Sequence, residues 1–324
     1  MKRSTIIWLA VATLLVIGGL MIFTAALVWA GWDIDKLSTD KYETNRYEIT
    51  EEFESISVVT DTADIVFVPS EDGKCTVVCY EQEYARHEVK VADNKLTVRV
   101  VDERSWYEHI GISFNTPKIT VSLPHGEYGD LYIRSDTGDV KIPEELAFKS
   151  IDITESTGRV KCNASAAEII RIKTSTGSIK LEGISADSVE LSVSTGRITV
   201  TDLNCRGDVS VKASTGKVKL EDVRCGSFSS KGNTGDITLK GLVAETKLFI
   251  NSSTGDVELE GCDAAEIFIN TDTGDVEGTL LSEKVFVTET DTGDVDVPKT
   301  TAGGRCEIST DTGDIEIRIK RPAT

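Results

Sequence analysis

Histidine is scarce in this chain. His87, His109 and His125 are the three present in 324 residues, and all stand in the first 130. Acid–base chemistry built on imidazole would have to sit there. No nucleophile stands in a recognisable pairing with a base, no glycine-rich phosphate loop is present, and no Cys/His spacing reads as zinc. Basic charge is also in short supply: 35 Lys and Arg face 54 Asp and Glu, for a net charge of −19. That balance speaks against nucleic acid as a partner. The deficit is uneven. Residues 33–130 carry 10 basic and 21 acidic groups, residues 131–232 carry 15 and 14, and residues 233–324 carry 8 and 19.

Against these absences stands a repeated phrase. Thr-Gly occurs ten times, with glycines at 138, 158, 177, 196, 216, 235, 255, 274, 293 and 313, in steps of 19 or 20 residues. A period so regular marks a stacked-repeat architecture. Two and four residues after each glycine the side chains are mostly apolar, as in Ile198/Val200 and Val218/Leu220. Seven and five before it they are again mostly apolar, as in Val189/Leu191 and Val209/Val211. Alternation on both sides of a glycine describes two short strands meeting at a bend. Further inward positions fall seven after (Ile184, Leu203, Val223, Leu242, Cys262, Leu281) and nine after, where the residues are small (Ala186, Cys205, Cys225, Ala244, Ala264). One such coil cannot bury enough apolar surface alone, so coils must stack. The glycine is expected to supply a positive φ at the corner.

The fold class that follows is all-β: a single-stranded β-solenoid (β-helix) of about ten coils plus a degenerate first coil, with one N-terminal transmembrane helix. Right-handed winding is the expectation for parallel crossovers. On a strand spacing of about 4.8 Å, ten coils make a rod roughly 50 Å long.

Seven cysteines cannot all pair. Cys162, Cys262 and Cys306 fall at inward positions, and Cys205 and Cys225 should stack on adjacent coils. There a disulfide is possible by distance, but buried thiols acting as small hydrophobes are favoured. Cys75 and Cys79 share a face of one strand, too far apart to bridge.

From Ile6 to Trp32 there is no charge, and Trp8 and Trp29 bracket a span matching a bilayer core. Lys2 and Arg3 before it, with Asp33 and Asp35 after, place the N-terminus inside and the rest outside. Val28-Trp29-Ala30 would also serve as a cleavage site, although the apolar run is long for a signal peptide. The expected divisions are 1–32, cytoplasmic tip and membrane helix; 33–46, a polar stalk; 47–130, degenerate coil and strand-rich cap; and 131–324, regular solenoid. The degenerate coil is Thr60-Asp61-Thr62-Ala63-Asp64, with alanine in the glycine position. A detour follows it, with strands at Cys75–Tyr80, His87–Val91, Leu96–Val101 and Lys118–Leu123 and a polar aromatic stretch at Arg104–His109. The detour is expected to cover the first coil's open edge. Lys320-Arg321-Pro322 should end the last strand and discourage edge-to-edge growth.

This combination resembles the bacterial putative-adhesin β-strand-repeat family, a domain of unknown function: the membrane anchor, the degenerate coil, the detour ending in Ile-Thr-Val-Ser-Leu-Pro (119–124), and the repeated Thr-Gly-Asp-Val phrases. The likeness covers 47–319. It implies a β-solenoid on the outer side of a bacterial cell membrane, single-pass, sometimes alongside envelope-stress genes, and it brings no catalytic residues.

Two surface features could carry function. The residue after the glycine is aspartate in the last five coils (Asp236, Asp256, Asp275, Asp294, Asp314), joined two before the glycine by Asp272, Asp291 and Asp311. Such a ladder must stay solvated or hold cations. Calcium is one reading and solvent-facing turn aspartates are the other; no further cofactor is implied. Six before the glycine, Phe249 and Phe268 point outward beside Asn251 and Asn270, and Phe286 joins them if one residue is inserted nearby. Such a stripe suits a partner protein, a second copy or a glycan. A mild basic face of Arg159, Arg197, Lys217, Lys141, Lys161, Lys180 and Lys219 is either a solvated face or a site for anionic cell-wall polymer. The expected function is a non-enzymatic binding or scaffold module, held in the membrane by residues 6–32. The alternative is a β-helix carbohydrate-active enzyme, a polysaccharide lyase or hydrolase.

Overall fold

The computed structural model describes residues 3–29, 31–32, 41–102 and 115–320. Helix α1 (Arg3–Trp29) is apolar on every side, and its window Thr5–Trp29 has a mean hydropathy of 2.6. The Thr13 and Thr24 hydroxyls donate to Leu9 O (2.8 Å) and Leu20 O (2.9 Å), so the helix keeps its own polar atoms paired. By length and composition it can cross a membrane.

The rest is a β-solenoid whose coil-to-coil ladders run in parallel register, with antiparallel strands added at its N-terminal end. Ile170↔Val189, Thr176↔Thr195, Gly177↔Gly196 and Ile179↔Ile198 pair across one coil step. Ser178↔Arg197 and Lys180↔Thr199 alternate with them on the outer face. In the coil of Gly196, Val189, Leu191, Val193, Ile198, Val200, Leu203 and Cys205 are all buried. This is the alternation the sequence shows, with one further inward column three residues before the glycine.

The corner glycines have φ between +128° and +155°. A Cβ on Gly196 would lie 1.6 Å from the Gly177 carbonyl oxygen, and one on Gly216 1.6 Å from that of Gly196. Backbone therefore packs on backbone at this corner, and only glycine fits both the dihedral and the gap. Ala63 holds the position in the first coil without a positive φ, because no glycine corner precedes it in the stack. A second corner, six residues after the glycine, is left-handed at Gly183, Asp202, Asp222, Gly241 and Gly261 (φ 53–65°). Aspartate tolerates that region well enough to alternate with glycine there.

Both ends depart from sequential stacking. At the N-terminal end, β1 is Tyr42–Ile49, β2 Ser55–Val59, β3 Asp64–Pro69, β4 Cys75–Gln82, β5 Ala85–Ala92, β6 Lys95–Asp102 and β7 Lys118–Leu123. Strands β2 and β3 pair with the coil of Gly138 on one side, and with β6 and β7, also parallel, on the other. The detour thus builds an outer layer over the first coil. Strands β4 and β1 extend it antiparallel from β7, and β5 extends it from β6 through a hairpin with Asp93 and Asn94 at positive φ. β1 begins at Tyr42, inside the stretch expected to be a stalk to residue 46. The stacked rings of Tyr42 and Tyr80 (5.0 Å) hold it as an edge strand. Residues 33–40 and the stretch Arg104–His109 lie outside the described residues.

At the C-terminal end the last coil in sequence is not the last in space. The coil of Gly313 sits between those of Gly274 and Gly293, with Ile267↔Cys306 on one side and Phe286↔Cys306 on the other. Gly303 and Gly304 open the slot. A Cβ on Gly304 would lie 1.8 Å from Ala265 O, and one on Gly303 1.9 Å from Glu283 O. The free edge is therefore that of the Gly293 coil, where Val285, Val287 and Val295 are exposed. Arg321 and Pro322, expected to guard the end, lie outside the described residues. Leu281, expected inward, is exposed; a register shift between Leu259 and Cys262 puts Leu280 opposite Cys262 instead. All seven cysteines are free thiols and buried, Cys205 and Cys225 included. Burial pushes the Cys225 thiol up to about 12.

Candidate functional site

The outer face of the C-terminal coils carries the expected stripe, in shorter form. Phe249 and Phe268 pair in register on adjacent coils, each half-buried. Asn251 and Asn270 stand two residues on, and a side-chain ladder joins them: Asn270 Nδ2 donates to Asn251 Oδ1 (3.2 Å) and Ser309 Oγ to Asn270 Oδ1 (2.7 Å). Phe286 does not join. Its register partner is Cys306, in the inward column of Ile267, while Glu307 follows Phe268 in the outward one. Phe286 stands seven before Gly293, an inward position, and Lys284–Thr290 pair with Gly304–Thr310 with no inserted residue to turn it outward. Cations dress the two rings: Lys247 Nζ lies 4.5 Å from the Phe268 centroid and 5.2 Å from that of Phe249, with Lys231 at 5.9 Å and Arg305 at 5.8 Å. Each contact contributes about 0.5–1 kcal/mol at such exposure. The face therefore offers two ring faces, an amide ladder and mobile-stemmed cations on a flat, rigid sheet.

The aspartate column is used by the backbone. Asp275 N–H donates to Asp256 Oδ1 (3.0 Å), Asp314 N–H to Asp275 Oδ1 (2.8 Å) and Asp294 N–H to Asp314 Oδ1 (2.7 Å). Each carboxylate caps the corner of the next coil. Asp236 instead meets Lys217 Nζ at 2.8 Å, and that hydrogen bond holds its carboxyl below the usual range. Asp272, Asp291 and Asp311 lie exposed at the same corner. Asp256, Asp275 and Asp314 thus act as turn caps and Asp236 as an ion-pair partner.

A polar cluster that the sequence did not single out is buried in the cap. His87 Nδ1 and the His87 backbone N–H both lie 2.6 Å from Glu81 Oε2, Asn45 Nδ2 donates to Glu81 Oε1 (2.7 Å), and Thr60 Oγ1 lies 3.0 Å from His87 Nε2. Burial drives the Glu81 carboxyl up, but the bonds from His87 and Asn45 outweigh it and hold it low. Carboxylate, imidazole and hydroxyl stand in the order of a hydrolytic triad. Yet Glu81, His87 and Thr60 are 0%, 3% and 3% exposed, so no substrate reaches the hydroxyl. Among the described residues, Cys79, Glu81 and His87 form the one group of three metal-capable side chains within 4.8 Å of one another. The short Glu81–His87 bond occupies the lone pairs a metal would need, and burial with the Glu81 charge pushes the Cys79 thiol up to about 12. The cluster ties β1, β4 and β5 to the first coil. Its signal in the sequence was Glu81 at an inward alternation position.

Glu155 is the second residue that sequence reasoning missed. It sits three before Gly158, in the inward column of Ser135 and Thr174, with both carboxylate oxygens buried and unpartnered. Burial first, then Asp139 and Asp64, push it up to about 8. An acid in a column of small residues was its signal.

A family model described as Toastrack DUF4097 matches residues 53–209 and again 206–324. No curated protein matches the chain by sequence. Among solved structures, a putative adhesin from Parabacteroides merdae ATCC 43184 is similar at 12% identity and a TM-score of 0.50, covering 74% of this chain and 96% of that one. A putative adhesin from Bacteroides fragilis NCTC 9343 (18%, TM-score 0.41) covers 86% and 97% respectively. A putative lipid binding protein from Parabacteroides distasonis ATCC 8503 (15%, TM-score 0.47) covers 87% and 98%.

Proposed function

The chain belongs to the Toastrack DUF4097 family, and we propose that it is a membrane-tethered, non-enzymatic binding module of a bacterial envelope, with α1 as the anchor and the solenoid outside. The observation that carries the reading is the in-register pair Phe249 and Phe268, held outward on a rigid sheet beside the Asn251–Asn270 ladder. Ring faces with amides at fixed spacing suit a sugar ring or an extended partner segment, and rigidity lowers the ordering cost of contact. The putative adhesin from Parabacteroides merdae, similar in fold, agrees with a contact role. A carbohydrate-active enzyme would need an accessible acid–base pair, and the Glu81–His87–Thr60 chain is sealed.

The test is co-sedimentation of the full chain, in detergent, with purified cell-wall sacculi and, separately, capture from envelope extract. Binding should be lost in Phe249→Ser/Phe268→Ser with the melting curve retained. Equal binding by this variant and the parent would refute the assignment of this face.

A further inference from the structure

The edge formed by the Thr-Gly corners carries a charge pattern that reverses along the rod. One and three residues after the glycine, side chains point outward between inward neighbours, and the ladder keeps them in two straight columns. In the coils of Gly158 to Gly216 these columns hold Arg159, Lys161, Lys180, Arg197, Lys217 and Lys219. A shallow groove of 590 Å³ runs along this stretch, lined by Gly177, Gly196 and Gly216 with Lys180, Arg197 and Lys217. In the coils beyond Gly235 the same columns hold only acids, among them Asp256, Glu258, Asp275, Glu277, Asp314 and Glu316.

The switch falls between the coils of Gly216 and Gly235. Because the Gly313 coil precedes that of Gly293 in space, five regular coils lie on each side: four cationic or neutral ones with the Asp139/Lys141 coil beyond them, and the Asp236 coil with four fully acidic ones beyond it. A two-fold axis along the strand direction at the switch maps each coil onto its mirror in the count. Arg197 then faces Asp256 of a second copy, Lys180 faces Glu277, Lys161 faces Glu316 and Arg159 faces Asp314. Each pair is made twice by symmetry, and Lys217 meets Asp236 at the axis. The geometry points to a second copy of this chain as the partner of this edge, lying antiparallel, corner to corner.

The pattern is self-complementary in this orientation, apart from Asp139 against Asp294 in the outermost pair, where Lys141 also meets Asp296. Parallel side-by-side copies would set Lys161 against Lys161 and Glu316 against Glu316. Isologous contacts of this kind close on themselves and stop at two. Backbone-on-backbone packing at the corner fixes the coil spacing, so spacing matches on both copies. The pairs compete with internal ones, Arg159–Asp139 (3.0 Å), Lys180–Glu182 (2.9 Å) and Lys217–Asp236 (2.8 Å), all solvent-accessible with Asp139 the least so. The contact should therefore be salt-sensitive and set more by pattern than by any single pair. It uses a different face from Phe249 and Phe268 and does not depend on the role given to them.

The experiment is mass measurement by light scattering and sedimentation on the full chain in detergent, from low to high salt. The parent should be a dimer at low salt and dissociate at high salt. Lys161→Glu/Lys180→Glu, and separately Glu277→Lys/Glu316→Lys, should each weaken the dimer about tenfold or more. The quadruple variant, with both arms reversed, should recover it, a rescue that a folding defect could not give. A monomer at every salt concentration would overturn the proposal. So would a dimer indifferent to the reversals, as helix-driven pairing would be, or a monomer whose cationic arm binds only anionic lipid vesicles.

Discussion

Glu155 should make the solenoid less stable as pH rises, and removing it should stabilise the protein. Its two neighbours in the column each use a short hydroxyl that reaches the corner carbonyl: Ser135 Oγ lies 3.3 Å from Thr137 O and Thr174 Oγ1 3.4 Å from Thr176 O. A carboxylate is too long for that bond, and both its oxygens are left without a partner. Burial, then Asp139 and Asp64, raise its pKa from 4.5 to about 8. A raised carboxyl binds more protons folded than unfolded between those values, so stability falls as pH climbs from 4.5 to 8 and levels off above. At about 1.4 kcal/mol per unit, the cost is roughly 3 kcal/mol at pH 7 and under 1 at pH 5. Glu155→Thr removes it. The melting temperature should rise by about 6–12 °C at pH 7, by little at pH 5, and by most near pH 8. The assay is a thermal melt of both proteins across pH 5–9. A gain constant over that range, or a Glu155 carboxyl titrating near 4.5 by NMR, would refute the argument.

Other outcomes follow from the same packing. Gly196→Ala puts a Cβ where the Gly177 carbonyl oxygen lies at 1.6 Å, so it should cost several kcal/mol, on the order of 3 or more; chemical denaturation reads this, and an unchanged midpoint would count against the corner. His87→Ala strips Glu81 of its ring and leaves a buried carboxylate with Asn45, at about 3–5 kcal/mol; a loss under 1 would show that the cap tolerates the charge. Millimolar calcium should leave the melting temperature unchanged, since backbone N–H groups already use Asp256, Asp275 and Asp314; a rise of several degrees would restore the cation reading. Gly304→Val should expel the inserted coil, so hydrogen exchange should quicken at 284–319 while 138–240 stays protected; uniform loss would mean the rod melts as one unit.

The regular coils were legible because one side chain in two meets the core and the repeat shows each inward column ten times over. Ile198, Val218 and Ile237 declare their column by recurrence alone. The ends were not legible, because their order in space depends on pairing between coils that satisfy the same columns equally well. Residues 306–317 fit after Gly274 as well as after Gly293, and the slot made by Gly303 and Gly304 decides between them. Phe286 was misplaced for another reason: turning it outward needed an inserted residue, and the register over Lys284–Thr290 is unbroken. Glu155 and the Glu81–His87 cluster escaped because each breaks a pattern once, and a single exception carries little weight beside a periodic signal.

Insertion at both ends has a mechanical consequence. A sequentially stacked solenoid leaves its first and last coils bound on one face, where they fray and recruit other edges. Here the first coil is covered by β6 and β7, and the last is clasped between two others. The C-terminal segment therefore leaves from an interior layer, whereas the segment leading to α1 leaves from the edge strand β1. Pulling on the C-terminus must break ladders on both faces of a coil, while pulling on the N-terminal side loads the single antiparallel ladder between β1 and β4. That ladder runs over eight residue pairs, so a pull along β1 shears many hydrogen bonds together and a pull across it opens them one by one.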